Sequence, residues 1–366
     1  MTFHKLTAVS SLALALSAGA IALPPMAEAC TRALYAGSDD MVITGRSMDW
    51  MQDIQTDLWA FPAGMARNGS AGPDSPEWVA KYGSVIASGY NIATTDGMNE
   101  KSLVANLLYL AESDYGHSDR PPLSIGLWAQ YVLDNYATVN EAVDGLKAQP
   151  FRIIAPKLPD GSAAELHLAV SDPSGDSAIF EYIGGELVIH HGKQYVVMTN
   201  SPTYDKQLAL DSYWKRIGGL KFLPGTNSAP DRFARASFLI GAVPGKADPN
   251  FISAVPDGTF ANQAVAEVTS VIRAVSVPLG ITTPGEPNIA STLWSTISDQ
   301  KNKVYFFDSA TTPNPFWVPL ADLDLSEGAP AKRLAIAGGK YYSGNAAEHF
   351  EEATPFQFMH ADPATN

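Results

Sequence analysis

Cys30 is the only cysteine in the 366-residue sequence, and the residues before it offer it a use. Ala27-Glu28-Ala29 has the small-x-small pattern of a leader cleavage site, so cleavage after Ala29 makes Cys30 the first residue of the mature chain. A free α-amine has an ordinary pKa of about 7.7–8, close enough to neutrality to take the thiol proton directly or through one water. Nucleophile and general base then share one residue. Two other fates compete for this cysteine. A lipid-modified cysteine needs a Leu-like residue three positions upstream, where this sequence has Ala27. An inert buried thiol is common for a lone cysteine, but an odd end for the first residue of a mature chain.

Residues 1–29 read as a secretory signal peptide: a basic start at Lys5, an apolar run from Leu6 to Leu23, then Pro24-Pro25 and the cleavage motif. The competing reading is a membrane anchor, against which stand Ser10, Ser11 and Ser17 inside the run and the processing site at its end. No later stretch approaches the roughly 20 apolar residues of a spanning helix. The expectation is a periplasmic protein with no membrane contact once the signal is cleaved, in which residues 30–366 form a single domain.

The elements that must position Cys30 follow it directly. Thr31–Ala36 and Met41–Arg46 are β-favouring runs around the turn cluster Gly37-Ser38-Asp39-Asp40, a hairpin that starts at the nucleophile. Its second strand returns beside the chain start and brings Arg46, Asp49 and Trp50 with it. A carboxylate there would hold the α-amine, and an arginine would favour the thiolate. The plainer alternative is a surface ion pair of little consequence.

Composition narrows the partners. Asp and Glu outnumber Lys and Arg 38 to 24, a net charge of −14, which repels phosphate backbones and excludes nucleic acid as the natural partner. With 17% charged and 46% hydrophobic residues, the chain has ample material for a large core. One cysteine rules out an internal disulfide or a multi-cysteine metal site. His190-His191 precedes a Gly-Lys turn with no partner at zinc-like spacing, so no metal and no cofactor is expected. A papain-like protease needs a helix-borne cysteine deep in the mature chain, whereas Cys30 opens a strand.

Farther along, Pro122–Tyr136 reads as one helix, and Thr138 with Glu141 as a capping box opening a second. His167–Val170, Ala178–Tyr182 and Tyr195–Met198 read as antiparallel strands, Ala261–Val275 as an amphipathic helix, and Thr292–Phe307 as a closing hairpin. Pro62–Pro76, Pro224–Pro230 and Ile281–Pro287 read as loops. Helices and strand blocks in this order predict an α+β protein with two sheets packed face to face and helices outside. Trp50, Trp59, Tyr109 and Tyr115 are candidate linings for an apolar site, with Trp50 preferred for its place beside Asp49.

The block Cys30-Thr31-Arg32, followed by Thr44-Gly45-Arg46-Ser47-Met48-Asp49-Trp50, resembles the mature start of the choloylglycine hydrolase and penicillin V acylase family of N-terminal-nucleophile cysteine amidases. Four further blocks match in order: Thr95–Leu103, Thr199–Asp205, Asp231–Arg235, and Trp294–Asp299 with Lys301–Lys303. The resemblance implies the four-layer αββα sandwich of two antiparallel sheets. It also implies that Cys30 is nucleophile and base, oriented by Arg46 and Asp49, that Asn200 donates to the oxyanion, and that Arg232 sits close to the nucleophile. A second oxyanion donor falls in Asn106–Tyr109, with Tyr109 the best match. Taken without the resemblance, Asn200 reads as a turn residue before Ser201-Pro202 and Arg232 as a solvated helix charge.

Ser102 stands where the family often has Gly. Trp50 and Leu107-Leu108-Tyr109-Leu110 depart from the gut bile salt hydrolases toward the Gram-negative penicillin V acylase branch, whose members also cleave long-chain N-acyl homoserine lactones. The resemblance therefore implies hydrolysis of a small-molecule linear acyl amide through a thioester, by a protein that is a homotetramer as its relatives commonly are. Bile salt hydrolysis, and a non-catalytic protein that binds acyl compounds in the same pocket, are the alternatives.

Overall fold

The computed structural model describes residues 30–281 and 290–365; the signal-peptide reading and most of the Ile281–Pro287 loop lie outside them. Strand β1 (Thr31–Ala36) and strand β2 (Val42–Trp50) form the expected hairpin. At its turn, Asp39 and Asp40 adopt φ of 53° and 54°, the left-handed backbone that short polar side chains tolerate best after glycine. β2 runs four residues past the predicted Arg46, which carries Ser47, Asp49 and Trp50 into the sheet instead of beyond its edge.

Among the described residues, β1 and β2 belong to a seven-stranded sheet ordered Val197–Met198, β1, β2, Ser291–Asp299, Val304–Ser309, Phe316–Pro319 and Gly344–Asn345. Its pairings are antiparallel except the last. A nine-stranded antiparallel sheet runs from Glu186–His191 through Ser177–Ile183, Leu166–Ser171, Val104–Tyr109, Ala93–Asn99, Ser84–Gly89 and Leu58–Phe61 to Lys332–Leu334 and Glu351–Glu352. Helices α1 (Trp128–Asn135) and α2 (Val139–Lys147) cover the nine-stranded sheet. Helices α3 (Tyr204–Ile217), α4 (Ala229–Ala242) and α5 (Phe260–Val275) lie on the side of the seven-stranded one, where α4 and α5 pack on its strands. This is the αββα sandwich of two antiparallel sheets.

Several elements differ from the sequence reading. Pro122–Tyr136 is a short strand and a 3-10 turn before α1 begins at Trp128, because Pro122 supplies the extended entry that pairs with Arg152–Ile154. The Thr138 cap is present: its Oγ1 accepts from the Glu141 N–H at 3.2 Å. Tyr195–Met198 shrinks to Val197–Met198 and pairs with β1, so it belongs to the other sheet from its sequence neighbours. The Pro62–Pro76 loop contains the strand Ala66–Asn68.

A polar seam joins the sheets. Thr44 Oγ1 lies 2.8 Å from Ser171 Oγ, an Arg32 Nη donates to Ser177 Oγ at 3.1 Å, and Tyr305 donates to Asp96 at 2.5 Å. Such side chains survive burial because each finds a partner across the seam. On its opposite face, β2 presents Gly45 to α5, where a Cβ would come within 2.6 Å of Ile272. The missing side chain lets the helix lie directly on the strand.

Candidate active site

Alternation along β2 sorts the site residues by face. Arg46, Met48 and Trp50 turn toward the nine-stranded sheet, where an Arg46 Nη donates to the Leu107 carbonyl at 2.9 Å. Ser47 and Asp49 turn toward α4. Cys30 heads β1 beside both faces and is 2% exposed.

The thiol is held by β2. Its Sγ lies 3.5 Å from the Asp49 backbone nitrogen and 3.9 Å from an Arg46 Nη. The Arg46 guanidinium also sits 4.7 Å above the Trp294 ring, a cation–π contact that fixes its plane. Burial pushes the Cys30 thiol up from its ordinary pKa, against the opposing pull of Arg46 and Arg232. The arginines thus favour the thiolate, and desolvation outweighs them.

The backbone nitrogen of Cys30 donates to Asn200 Oδ1 at 2.5 Å. Arg232, fully buried on α4, ties the same parts together. One Nη donates to the Cys30 carbonyl and to Thr31 Oγ1, both at 2.6 Å, the other to Asn200 Oδ1 at 3.0 Å, and Nε to the Asn227 carbonyl at 3.0 Å. The solvated-charge reading of Arg232 fails because these acceptors wait under the helix. Its Nη1 is also 3.8 Å from Asp49 Oδ2.

Asp49 is sequestered. Thr292 Oγ1 donates to its Oδ1 at 2.5 Å and Ser47 Oγ to its Oδ2 at 3.3 Å, so Asp49 reaches Cys30 through its own backbone. The nitrogen of the cysteine finds Asn200 instead of this carboxylate. A register shift between Thr292 and Trp294 opposite Asp49 and Met48 aims the threonine, the local re-aiming that a bulge provides. Burial pushes the Asp49 carboxyl up to about 6, against the pull of Arg232, Thr292, Arg46 and Ser47.

The Asn200 amide is oriented by its partners: two donors meet its oxygen, and its nitrogen donates to the Tyr109 carbonyl at 2.8 Å. One amide proton is thereby engaged, and the nitrogen carries a second. Gln207 on α3, which the sequence reading missed, secures this segment: its Nε2 donates to Thr199 Oγ1 at 3.2 Å, the Asn200 carbonyl at 2.9 Å and the Ser201 carbonyl at 3.0 Å. The site therefore brings together Cys30, Arg46, Asp49, Asn200, Arg232 and the backbone of Tyr109.

A small apolar cavity of about 70 Å³ opens beside Cys30, walled by Met48, Trp50, Ile54, Tyr90, Tyr109 and Leu158 among others. Trp50 and Tyr109 meet edge to face at 6.2 Å. Met48, Ile54, Tyr90 and Leu158 had no signal beyond being apolar. Trp59 and Tyr115 are elsewhere: Trp59 stacks on Phe61 and meets Phe356, and the Tyr115 hydroxyl accepts from the Leu166 N–H. A larger cavity of about 470 Å³ lies on another side of Trp50, without Cys30 in its wall.

Layered as αββα with this cysteine at the head of its first strand, the protein has the N-terminal-nucleophile hydrolase fold. Residues 30–333 match the family described as linear amide C–N hydrolases, choloylglycine hydrolase family, and the match begins at Cys30 itself. The chain belongs to that family and is a linear amide C–N hydrolase. It is 49% identical over 350 residues to the penicillin V acylase of Pectobacterium atrosepticum, covering 90% of this chain and 92% of that one. It superposes on the penicillin V acylase of Agrobacterium tumefaciens with a TM-score of 0.81 and 54% identity, over 90% of this chain and 99% of the other. A conjugated bile acid hydrolase from Clostridium perfringens shares the fold at 20% identity and TM-score 0.68, over 86% of this chain and 98% of the other.

Proposed function

We propose that residues 30–366 form one exported amidase domain that cleaves linear acyl amides, the side chain of penicillin V and long-chain N-acyl homoserine lactones among them, with Cys30 as N-terminal nucleophile. The observation that carries this reading is the environment of the only cysteine, which stands where the family match begins and contacts Arg46, Asp49 and Asn200. Export follows from the signal-peptide pattern before it and places the protein in the periplasm. The homotetramer is proposed from the resemblance.

In this mechanism the α-amine of Cys30, released by cleavage, takes the thiol proton while Asn200 Oδ1 holds the nitrogen. The thiolate attacks the acyl carbon, and the oxyanion that forms is met by the second proton of the Asn200 amide and the backbone N–H of Tyr109. One such donor is worth about 3 kcal/mol of barrier. The amine proton passes to the leaving nitrogen as the carbon–nitrogen bond breaks, and water then resolves the thioester. Arg232 holds the cysteine carbonyl, and Asp49 holds the thiol through its own backbone N–H.

The test is release of free amine from penicillin V by protein whose mass shows a chain beginning at a reduced Cys30. Turnover that disappears in Cys30→Ala, with the fold retained by circular dichroism, is the expected result. Activity in that variant, or in a form keeping residues ahead of Cys30, would overturn the mechanism. Long-chain homoserine lactones and a glycine-conjugated bile salt run in parallel as competing substrates.

A further inference from the structure

The cavity beside Cys30 is too small for the acyl group the site would process. An apolar cavity of about 150 Å³ is what takes up a single benzene molecule, and this one offers about 70 Å³. Part of its wall comes from the hairpin tip Lys157–Ala163. Its ends pair as an isolated bridge, and the Leu158 N–H donates to the Ser162 carbonyl at 2.9 Å. Lys157, Pro159, Gly161 and Ala163 are exposed, while Leu158 and Asp160 are half-buried. Leu158 forms part of the cavity wall. One carboxylate oxygen of Asp160 accepts from Trp50 Nε1 at 2.9 Å and from the Tyr90 hydroxyl at 3.0 Å. Both of those rings also wall the cavity. The other oxygen accepts from the Ser162 N–H at 2.9 Å, which shapes the tip itself.

We propose that Asp160 is a specificity-determining latch: it pins Trp50 and Tyr90 to the hairpin that carries Leu158, and so sets the acyl size admitted to Cys30. An acyl group larger than this space that is to seat fully beside Cys30 must part these contacts or displace Leu158, and a small one need not. Asp160 touches no reacting atom, so it acts as a positioning residue through the two rings. This inference rests on the amidase reading, and half of its test does not use turnover.

The first measurement compares the phenoxyacetyl and acetyl amides of one and the same amine. Asp160→Ala is expected to raise the phenoxyacetyl-to-acetyl ratio of kcat/KM by about tenfold, the worth of one or two net hydrogen bonds, through KM and not kcat. Tyr90→Phe removes one latch bond while leaving the Asp160–Ser162 turn intact, and is expected to move the ratio in the same direction by about threefold, half the effect on a free-energy scale. A loop merely loosened by Asp160→Ala would change both amides alike. The second measurement is binding of phenoxyacetate against acetate, by calorimetry or NMR titration, in a Cys30→Ala background with and without Asp160→Ala. Selective gain for phenoxyacetate is expected. An unchanged or reduced ratio in both variants, with no selective gain in binding, overturns the latch. Binding decides the latch even where wild-type protein turns over neither amide, an outcome that would sink the amidase reading alone.

Discussion

Two buried charges beside the thiol have testable consequences. Asp49 is raised from an ordinary 3.8 to about 6 because burial disfavours its charged form. Between those values the folded protein keeps a proton that the unfolded chain has released, so this group's stabilising contribution is complete below about pH 4 and is lost as pH rises through about 6. The shift corresponds to about 3 kcal/mol at 1.36 kcal/mol per pKa unit. Asp49→Asn removes the titration. The stability of wild type minus that of the variant, from urea unfolding, should therefore fall by up to that amount between pH 4 and pH 7; a flat difference would show that Asp49 does not titrate there. Arg232 tests geometry instead. Its fork meets the Cys30 carbonyl, Thr31, Asn200 and Asn227 at once, which an ammonium of equal charge cannot do. Arg232→Lys should lower kcat by about a hundredfold, as loss of an aligned polar group does, with KM little changed; near-normal kcat would reduce Arg232 to a charge.

At the scale of the elements, the chemistry on the inner face of β2 depends on a glycine on its outer face. A Cβ at Gly45 would lie 2.6 Å from Ile272 and 2.9 Å from Val268, so Gly45→Ala drives α5 off the strand and should cost about 1–3 kcal/mol. Ile272→Ala, which removes the Cγ1 that the new Cβ would meet, leaves a cavity on its own, and the pair should cost less than the sum of the singles, a coupling that thermal unfolding of the four proteins reads directly. Additive losses would mean that α5 is not in contact there. The hairpin around this strand was legible because turn residues and β-branched runs are local signals. Ser102, standing where the family often has Gly, takes φ of 65°, the left-handed region that glycine adopts most readily. Helix α3 was not legible: Leu210 and Tyr213 on it remain exposed, so its apolar residues do not mark one inward face. Arg232 reads as a solvent charge in any pattern of periodicity, since its burial is decided by acceptors some 30 and 200 residues away in sequence. Asp160 was silent for the same reason, standing 110 residues from Trp50.

For the molecule as a whole, the same helix links the site to the outside. The inner side of α3 carries Gln207, which grips the Asn200 segment, while Leu210 and Tyr213, at 43% and 59% exposure, face out with Leu220 and Phe222 just beyond the helix at 95% and 56%. Four large apolar residues exposed within one short segment are more than the scattered surface hydrophobics that need no explanation. On a chain of net charge −14, they form a surface where two copies can meet with little repulsion between them. The homotetramer proposed above would bury this patch. Leu220→Asp with Phe222→Asp should reduce the mass seen by light scattering at micromolar concentration, with unchanged circular dichroism, because neither side chain contributes to the buried core. The variant should also lose part of its kcat, since α3 then holds Asn200 without support on its outer side. A wild-type protein that is monomeric under these conditions would leave the patch without this role, and a variant of full mass would move the interface to another face.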